Sequence, residues 1–153
     1  MLQIRKATEE DLDVLHELML GIAQYHNQEE YLLTTLEQMR QAGFGEQAQF
    51  GAFLAEWDGQ PAGYLSYTWN YSIWRGDTFM NIDDVFVWEQ YRGKKIGDAL
   101  MQQAKDLCQE RKVSTIRWEV EKDNAGAIKF YERLGAEVTV KGVCKWHLGE
   151  GAW

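Results

Sequence analysis

Arg92-Gly93-Lys94-Lys95-Ile96-Gly97 is the segment of this chain with the plainest chemical potential. It joins an apolar run, Val85-Phe86-Val87, to a helical pattern that begins near Ile96. The first N–H groups of a helix have no intrahelical acceptor and face the same way, so such a strand–loop–helix offers a row of donors to an anion. Gly93 and Gly97 lack a Cβ and let the backbone approach a ligand closely. Arg92, Lys94 and Lys95 add positive charge. Together these suit a pyrophosphate, and so a phosphorylated cofactor. The spacing is neither G-x-G-x-x-G nor G-x-x-x-x-G-K-[ST], which disfavours dinucleotide and nucleoside-triphosphate sites. Taken alone, the loop also reads as an ordinary basic turn with a convenient glycine. Two more pairs stand out. Asp83 and Asp84 precede the apolar run on the same expected strand, where alternation sends them to opposite faces. Asn124 and Tyr131 are spaced to share one helix face.

The elements that would position these residues are legible in the periodicity. Residues 2–6 read as a short strand. Thr8 reads as a helix N-cap, with Glu9, Glu10 and Asp11 in the first turn where negative charge suits the dipole. Leu12, Leu15, Leu18, Met19 and Ile22 then form an apolar stripe. A second helix is expected over 33–42, stopping at Gly43. The stretch 25–31 between them is polar and aromatic, an exposed connection. Residues 50–57 and 62–69 read as strands around the hairpin signal Asp58-Gly59. An aromatic loop or strand extension covers 70–77, and a third long strand 78–88. A helix follows over 95–111, with Ile96, Leu100, Ala104 and Leu107 on one face. Then come a strand at 114–120, a helix at 125–134 closed by Gly135, and a pair of closing strands at 138–140 and 143–148. The order β-α-α-β-β-β-α-β-α-β-β describes a mixed α/β sheet carrying helices.

With 153 residues and no linker or repeat, the chain is expected to be one domain, 1–153. The net charge of −8 argues against a general nucleic-acid binder and is compatible with a cationic substrate. Cys108 and Cys144 are too few for a Cys-rich zinc site and read as idle or buried thiols. The first residues have no apolar core of signal-peptide length, and no run approaches a membrane span, so a cytoplasmic protein without membrane partners is expected.

Across nearly its whole length, from IRKATEEDL through GYLSY to KFYERLGA, the sequence resembles the GCN5-related N-acetyltransferase superfamily. The resemblance implies the acyl-CoA N-acyltransferase fold, a mixed, mostly antiparallel twisted sheet flanked by helices. It implies acetyl-CoA as co-substrate, no metal, and a homodimer. The family loop Arg/Gln-x-x-Gly-x-Gly/Ala is met here as Arg92-x-x-Lys95-x-Gly97, with lysine replacing the middle glycine. Lysine with ordinary backbone dihedrals would still offer its amide. By resemblance, CoA is held by Arg92, Gly93, Lys94, Lys95, Ile96, Gly97 and Asp98, by Val85, Phe86 and Val87 on a strand that splays from 116–120, and by Asn124, Ala127 and Tyr131. One N–H of the splayed strand would polarise the thioester carbonyl. Tyr131 would protonate the departing thiolate as general acid. From the residues alone, Phe130-Tyr131 also reads as a core aromatic pair.

The attacking amine must be neutral, and at pH 7 roughly one alkylamine in a thousand is. A carboxylate, directly or through water, takes the proton. Asp83 is the favoured base and Asp84 the second, the other reading being two strand-end charges. Within the superfamily the likeness is to diamine and polyamine acetyltransferases, echoed by GIAQYHNQEE, Leu33-Thr34, Gly43-Phe44-Gly45 and Trp74. Tyr25, His26, Glu29, Trp74, Asp83 and Asp84 are the implied acceptor contacts, although a loop histidine like His26 also reads as merely solvated. Ser72 and Lys141 stand where the branch has acidic residues. A small amine is therefore expected, either a short one or an amino acid whose carboxylate meets Lys141 or Arg117. Protein, peptide and antibiotic acetyltransferases and a non-catalytic acyl-CoA sensor are the alternatives. The aromatic segment 70–74 favours a closed, small pocket over an open groove.

Overall fold

The computed structural model describes all residues, Met1–Trp153. They form two compact units, 1–118 and 119–153. The first contains strands β1 (Leu2–Lys6), β2 (Gly51–Trp57), β3 (Gln60–Ser72), β4 (Asp77–Val87) and β5 (Ile116–Arg117), with helices α1 (Leu12–Tyr25), α2 (Leu36–Gly43) and α3 (Ile96–Glu110). The second contains α4 (Ala125–Arg133).

The five strands make one sheet in the order β1-β2-β3-β4-β5. All neighbours are antiparallel except β4 and β5, which run parallel. The expected mixed, mostly antiparallel α/β architecture is thus present. Asp58 and Gly59 have φ of 49° and 80°, the two positive values a two-residue hairpin turn demands, and they join β2 to β3. One face of the sheet, with Ala52, Leu54, Tyr64 and Phe86, is buried under Leu12, Leu15 and Leu18 of α1. Successive side chains alternate, so the other face carries Phe53, Leu65 and Tyr67. There Met80 meets Cys108 of α3 at 3.9 Å.

A bulge interrupts this alternation in β4. Ser66 stands opposite Asp84 and Tyr67 opposite Ile82, which leaves Asp83 as the extra residue. Met80 and Ile82 therefore face α3, whereas Asp84 and Phe86 face α1. Without the bulge all four would share one face.

Several ends differ from the periodicity. A short 3-10 turn, Glu9–Asp11, precedes α1, because the Thr8 N–H is taken by the Asp11 carboxylate at 2.8 Å. Helix α2 starts at Leu36 because Thr35 and Gln38 cap each other reciprocally, through bonds of 3.1 and 2.9 Å. Only Ile116 and Arg117 of the expected strand 114–120 pair.

In the second unit, the Asn124 side chain accepts from the Ala127 N–H at 3.1 Å and starts α4. Gly135, at φ 101°, ends it in a Schellman motif: the Gly135 N–H bonds the Glu132 carbonyl and the Ala136 N–H that of Tyr131. The closing strands expected at 138–140 and 143–148, including the one placed at Cys144, do not form. Val140, Val143, Trp146 and Leu148 are exposed there, and an isolated pair of strands without a buried face is marginal at best.

Candidate active site

In the first unit the loop from β4 to α3 is shaped for an anion. Gly93 has φ of 80°. Lys95, the residue before α3, sits at φ 61° and ψ 27° and gives the helix no side-chain cap. The Ile96, Gly97 and Asp98 amides thus start a helix whose donors have no intrahelical acceptor. Ordinary dihedrals were the condition on which the lysine would offer its amide; it is instead left-handed, the region where a glycine costs least. This is the physical sense of the glycine it replaces.

The three basic side chains do different work. The Arg92 Nε donates to the Val87 carbonyl at 3.0 Å, and its guanidinium lies 4.9 Å from the Tyr25 ring centre. The Lys94 ammonium lies 4.8 Å from the Trp57 ring centre. Lys95 is exposed, with no carboxylate or aromatic partner, so its ammonium could meet an anion. Asp98 brings a negative charge into the same first turn.

Upstream, the ladder between β4 and β5 consists of Met80 opposite Ile116 and Asn81 opposite Arg117. No strand pairs with Val85, Phe86 and Val87 on the side away from β3. An amide-bearing chain can bond to that edge as an added strand would. The bulge lies just before it. Asp83 is exposed, and its Oδ1 accepts from Asn81 Nδ2 at 3.0 Å. Asp84 is half-buried, and its Oδ2 accepts from the Tyr64 hydroxyl at 2.9 Å. Burial pushes the Asp84 carboxyl up from its ordinary value; the Tyr64 hydrogen bond and the nearby His26 pull it back. Burial, with Asp84 beside it, pushes the Tyr64 phenol far upward, so it stays a donor.

Tyr25 and His26 end α1, with rings edge-to-face at 5.2 Å. The structure therefore gathers Tyr25, His26, Asp84 and Arg92, together with Tyr64. Glu29 lies in an exposed 3-10 turn. Trp74 is 98% exposed at the β3–β4 hairpin tip, beyond the last rung Ser72–Asp77, which itself lies six ladder positions, or about 20 Å, from Ser66–Asp84. The closed aromatic pocket expected from 70–74 is not formed, because β3 and β4 run on to Ser72 and Asp77 and carry the aromatics outward. Ser72 instead closes the tip, with its hydroxyl accepting from the Arg75 N–H at 3.2 Å. Tyr64 was missed as a site residue. Its signal was a tyrosine in the run Ala62–Leu65, since a buried phenol requires a polar partner.

In the second unit, Asn124 spends its side-chain oxygen on the Ala127 N–H, which leaves its NH2 group for a ligand and commits the Ala127 donor. Tyr131 is half-buried on α4, its ring 5.4 Å from that of Phe130, and burial pushes its phenol up. It therefore keeps its proton at neutral pH. No three His, Cys, Asp or Glu side chains gather as a metal site.

The uncapped start of α3, the open β4 edge and the sheet belong together in one class of protein. The chain belongs to the Acetyltransferase (GNAT) family, whose model matches residues 12–136. It is accordingly an acetyl-CoA-dependent N-acetyltransferase. It is similar to the thialysine N-epsilon-acetyltransferase of Bos taurus, 29% identical over 142 residues, covering 88% of this chain and 83% of that one. The streptothricin acetyltransferase of Streptomyces lavendulae is 38% identical over 92 residues, covering 60% and 47%. A crystal structure of an aminoglycoside acetyltransferase from an uncultured soil metagenomic sample has a TM-score of 0.81 at 19% identity, covering 94% of this chain and 97% of that one, a likeness of fold.

Proposed function

We propose that the enzyme acetylates a primary amine on a small molecule, diamine-like or amino-acid-like, by direct transfer within a ternary complex. The observation that carries this is the placement, on one strand, of the Asp83–Asp84 pair immediately before the open edge at Val85, Phe86 and Val87. A proton acceptor for an ammonium thus adjoins backbone suited to an amide-bearing arm. The thialysine enzyme, by its name, acetylates a side-chain amine of an amino acid, which supports the amino-acid-like acceptor.

Bound acetyl-CoA supplies the acetyl thioester. The Ile96, Gly97 and Asp98 amides and the Lys95 ammonium hold phosphate; Arg92, braced on Val87 and Tyr25, fixes the turn. The β4 edge holds the pantetheine amides, and one of its N–H groups polarises the carbonyl. Asn124 contributes its NH2 group. Asp83 or Asp84 removes the ammonium proton, and Tyr131 holds a proton for the leaving sulfur. The family match runs across the boundary between the two units, which supports one functional domain over 1–153. We read the protein as a cytoplasmic homodimer: no helix is long and apolar enough to cross a membrane, and Tyr71, Ile73 and Trp74 offer exposed apolar surface for pairing. Light scattering tests the pairing.

A second reading, acetylation of an aminoglycoside-like or streptothricin-like antibiotic, is favoured by the open surface around Trp74 and by the streptothricin relative. CoA release, corrected for hydrolysis, is to be measured with thialysine, ornithine, putrescine, spermidine, streptothricin and a peptide amine. The expected result is the highest kcat/KM with an amino-acid amine, and a loss of about 10²-fold or more in kcat for Tyr131→Phe. Tight acetyl-CoA binding with no amine raising CoA release would show a sensor, and highest activity on the peptide a protein acetyltransferase. A Tyr131→Phe variant as fast as wild type at every pH removes Tyr131 as the acid.

A further inference from the structure

Tyr64 is fully buried in the middle of β3, with its one hydroxyl proton directed to Oδ2 of Asp84 at 2.9 Å. The bulge at Asp83 is what brings Asp84 to this face. In a regular ladder Asp84 would lie with Met80 and Ile82 on the α3 side, away from Tyr64. Oδ1 of Asp84 accepts no hydrogen bond from the chain. The groups that face Asp84 are Tyr64 from β3 and His26 from the end of α1, and the charge of its chain neighbour Asp83 reaches Tyr64. The C-terminal end of α1 adds the negative end of a helix dipole, which also favours a cation here.

We propose that Tyr64 is a positioning residue that holds Asp84 by one oxygen, so that Asp84 rather than Asp83 receives the proton of the acceptor ammonium through the other. This rests on the amine-acetyltransferase function above. The N–H bond of the ammonium breaks, its electron pair stays on nitrogen as the attacking lone pair, and the proton moves to Oδ1. Asp83 is placed differently: as the bulged residue it is exposed, and the donor to its Oδ1 is the Asn81 amide of its own strand rather than a buried phenol. Tyr64 also sets when Asp84 is ready. Burial alone favours the protonated acid, which cannot accept a proton, and a hydrogen bond from a neutral phenol favours the carboxylate.

The test is Tyr64→Phe, which keeps the ring and removes the hydroxyl, beside Asp84→Asn, Asp83→Asn and His26→Asn. Without the phenol, the acidic limb of kcat/KM for the best amine moves up by about one pH unit, with the alkaline plateau kept. At a pH on that limb the loss is about tenfold; well above it the loss disappears, which a merely loosened core would not produce. Asp84→Asn lowers the plateau itself by about 10²-fold or more. Asp83→Asn leaves the limb in place, and His26→Asn does not abolish it. A carbon-13 titration of the Asp84 carboxyl, run without acetyl-CoA or amine, moves upward in Tyr64→Phe by the same amount. An unchanged titration overturns the positioning role whatever the activity. A limb that vanishes in Asp83→Asn and survives in Asp84→Asn overturns the choice of carboxylate. If wild type turns over no amine while the titration still moves, the function fails and the Tyr64–Asp84 hold survives as structure only. Should Tyr64→Phe not fold, the two aspartate variants decide the choice of carboxylate.

Discussion

Replacing Lys95 by glycine separates two contributions of that residue, a strained backbone and a charge. Lys95 sits at φ 61° and ψ 27° before α3, is exposed, and has no side-chain cap or ion-pair partner. A non-glycine residue in the left-handed region costs about 1–2 kcal/mol, while glycine loses about 0.5–1 kcal/mol in conformational entropy on folding. The N-cap position also tolerates glycine well. Lys95→Gly is therefore expected to stabilise the protein by about 1 kcal/mol, or about 2–4 °C for a chain of this size. Lys95→Ala removes the same ammonium but keeps the Cβ, so it retains the strain. Both variants should weaken acetyl-CoA binding by about two- to fivefold, the range of one exposed charge at a helix start, and the difference should shrink in high salt. Urea melts and acetyl-CoA titrations on the three proteins measure both effects. Equal stability of the glycine and alanine variants, within a few tenths of a kcal/mol, would refute the strain argument. Wild-type affinity in both would refute the placement of phosphate at α3.

Three further outcomes follow from other contacts. A Cβ on Gly63 would stand 2.4 Å from the Phe86 carbonyl oxygen, so Gly63→Ala should destabilise by about 1–3 kcal/mol in chemical denaturation and disturb β4 beside Asp84. Arg5 grips the Asp11 carboxylate through two bonds of 2.8 Å, which lowers its pKa from 3.8 to about 2. A depressed carboxyl contributes stability that is complete above pH 4 and fades as pH falls toward 2; this amounts to about 2 kcal/mol, which acid titration of Asp11→Asn against wild type should show as a missing slope. Asn124→Ala removes the α4 cap, costing about 1 kcal/mol, and also removes the NH2 group proposed to meet CoA; Asn124→Ser keeps a cap, so only the alanine variant should lose stability, while on that proposal both raise the KM for acetyl-CoA.

Much of the local structure was legible along the chain. Asp58-Gly59 announces a hairpin because few other pairs accept two positive φ angles, and that hairpin is present. The stripe Ile96, Leu100, Ala104 and Leu107 announces α3; the first three are buried and Leu107 is half-buried. Asn124 and Gly135 mark the two ends of α4 through local bonds, which depend on near neighbours only. What failed depended on distant partners. The segments at 138–140 and 143–148 have the composition of strands, but a strand is defined by pairing, and there none exists. Trp74 has the composition of a pocket wall, but the length of the β3–β4 ladder carries it into solvent.

Sequence alone pointed to an anion-binding turn, a basic glycine-bearing loop at a helix start with two adjacent carboxylates before it, because these are spacings within a few residues. The acetyl-transfer roles of Asn124 and Tyr131 came with the family resemblance. Tertiary structure alone decided which carboxylate is which. Alternation is counted along one strand, whereas a bulge arises only when two strands pack: Met80 and Ile82 must lie under α3 while Phe86 lies under α1, and one extra residue, Asp83, reconciles them. That single residue turns Asp84 toward the Tyr64 hydroxyl and leaves Asp83 on the exposed side, beside Asn81.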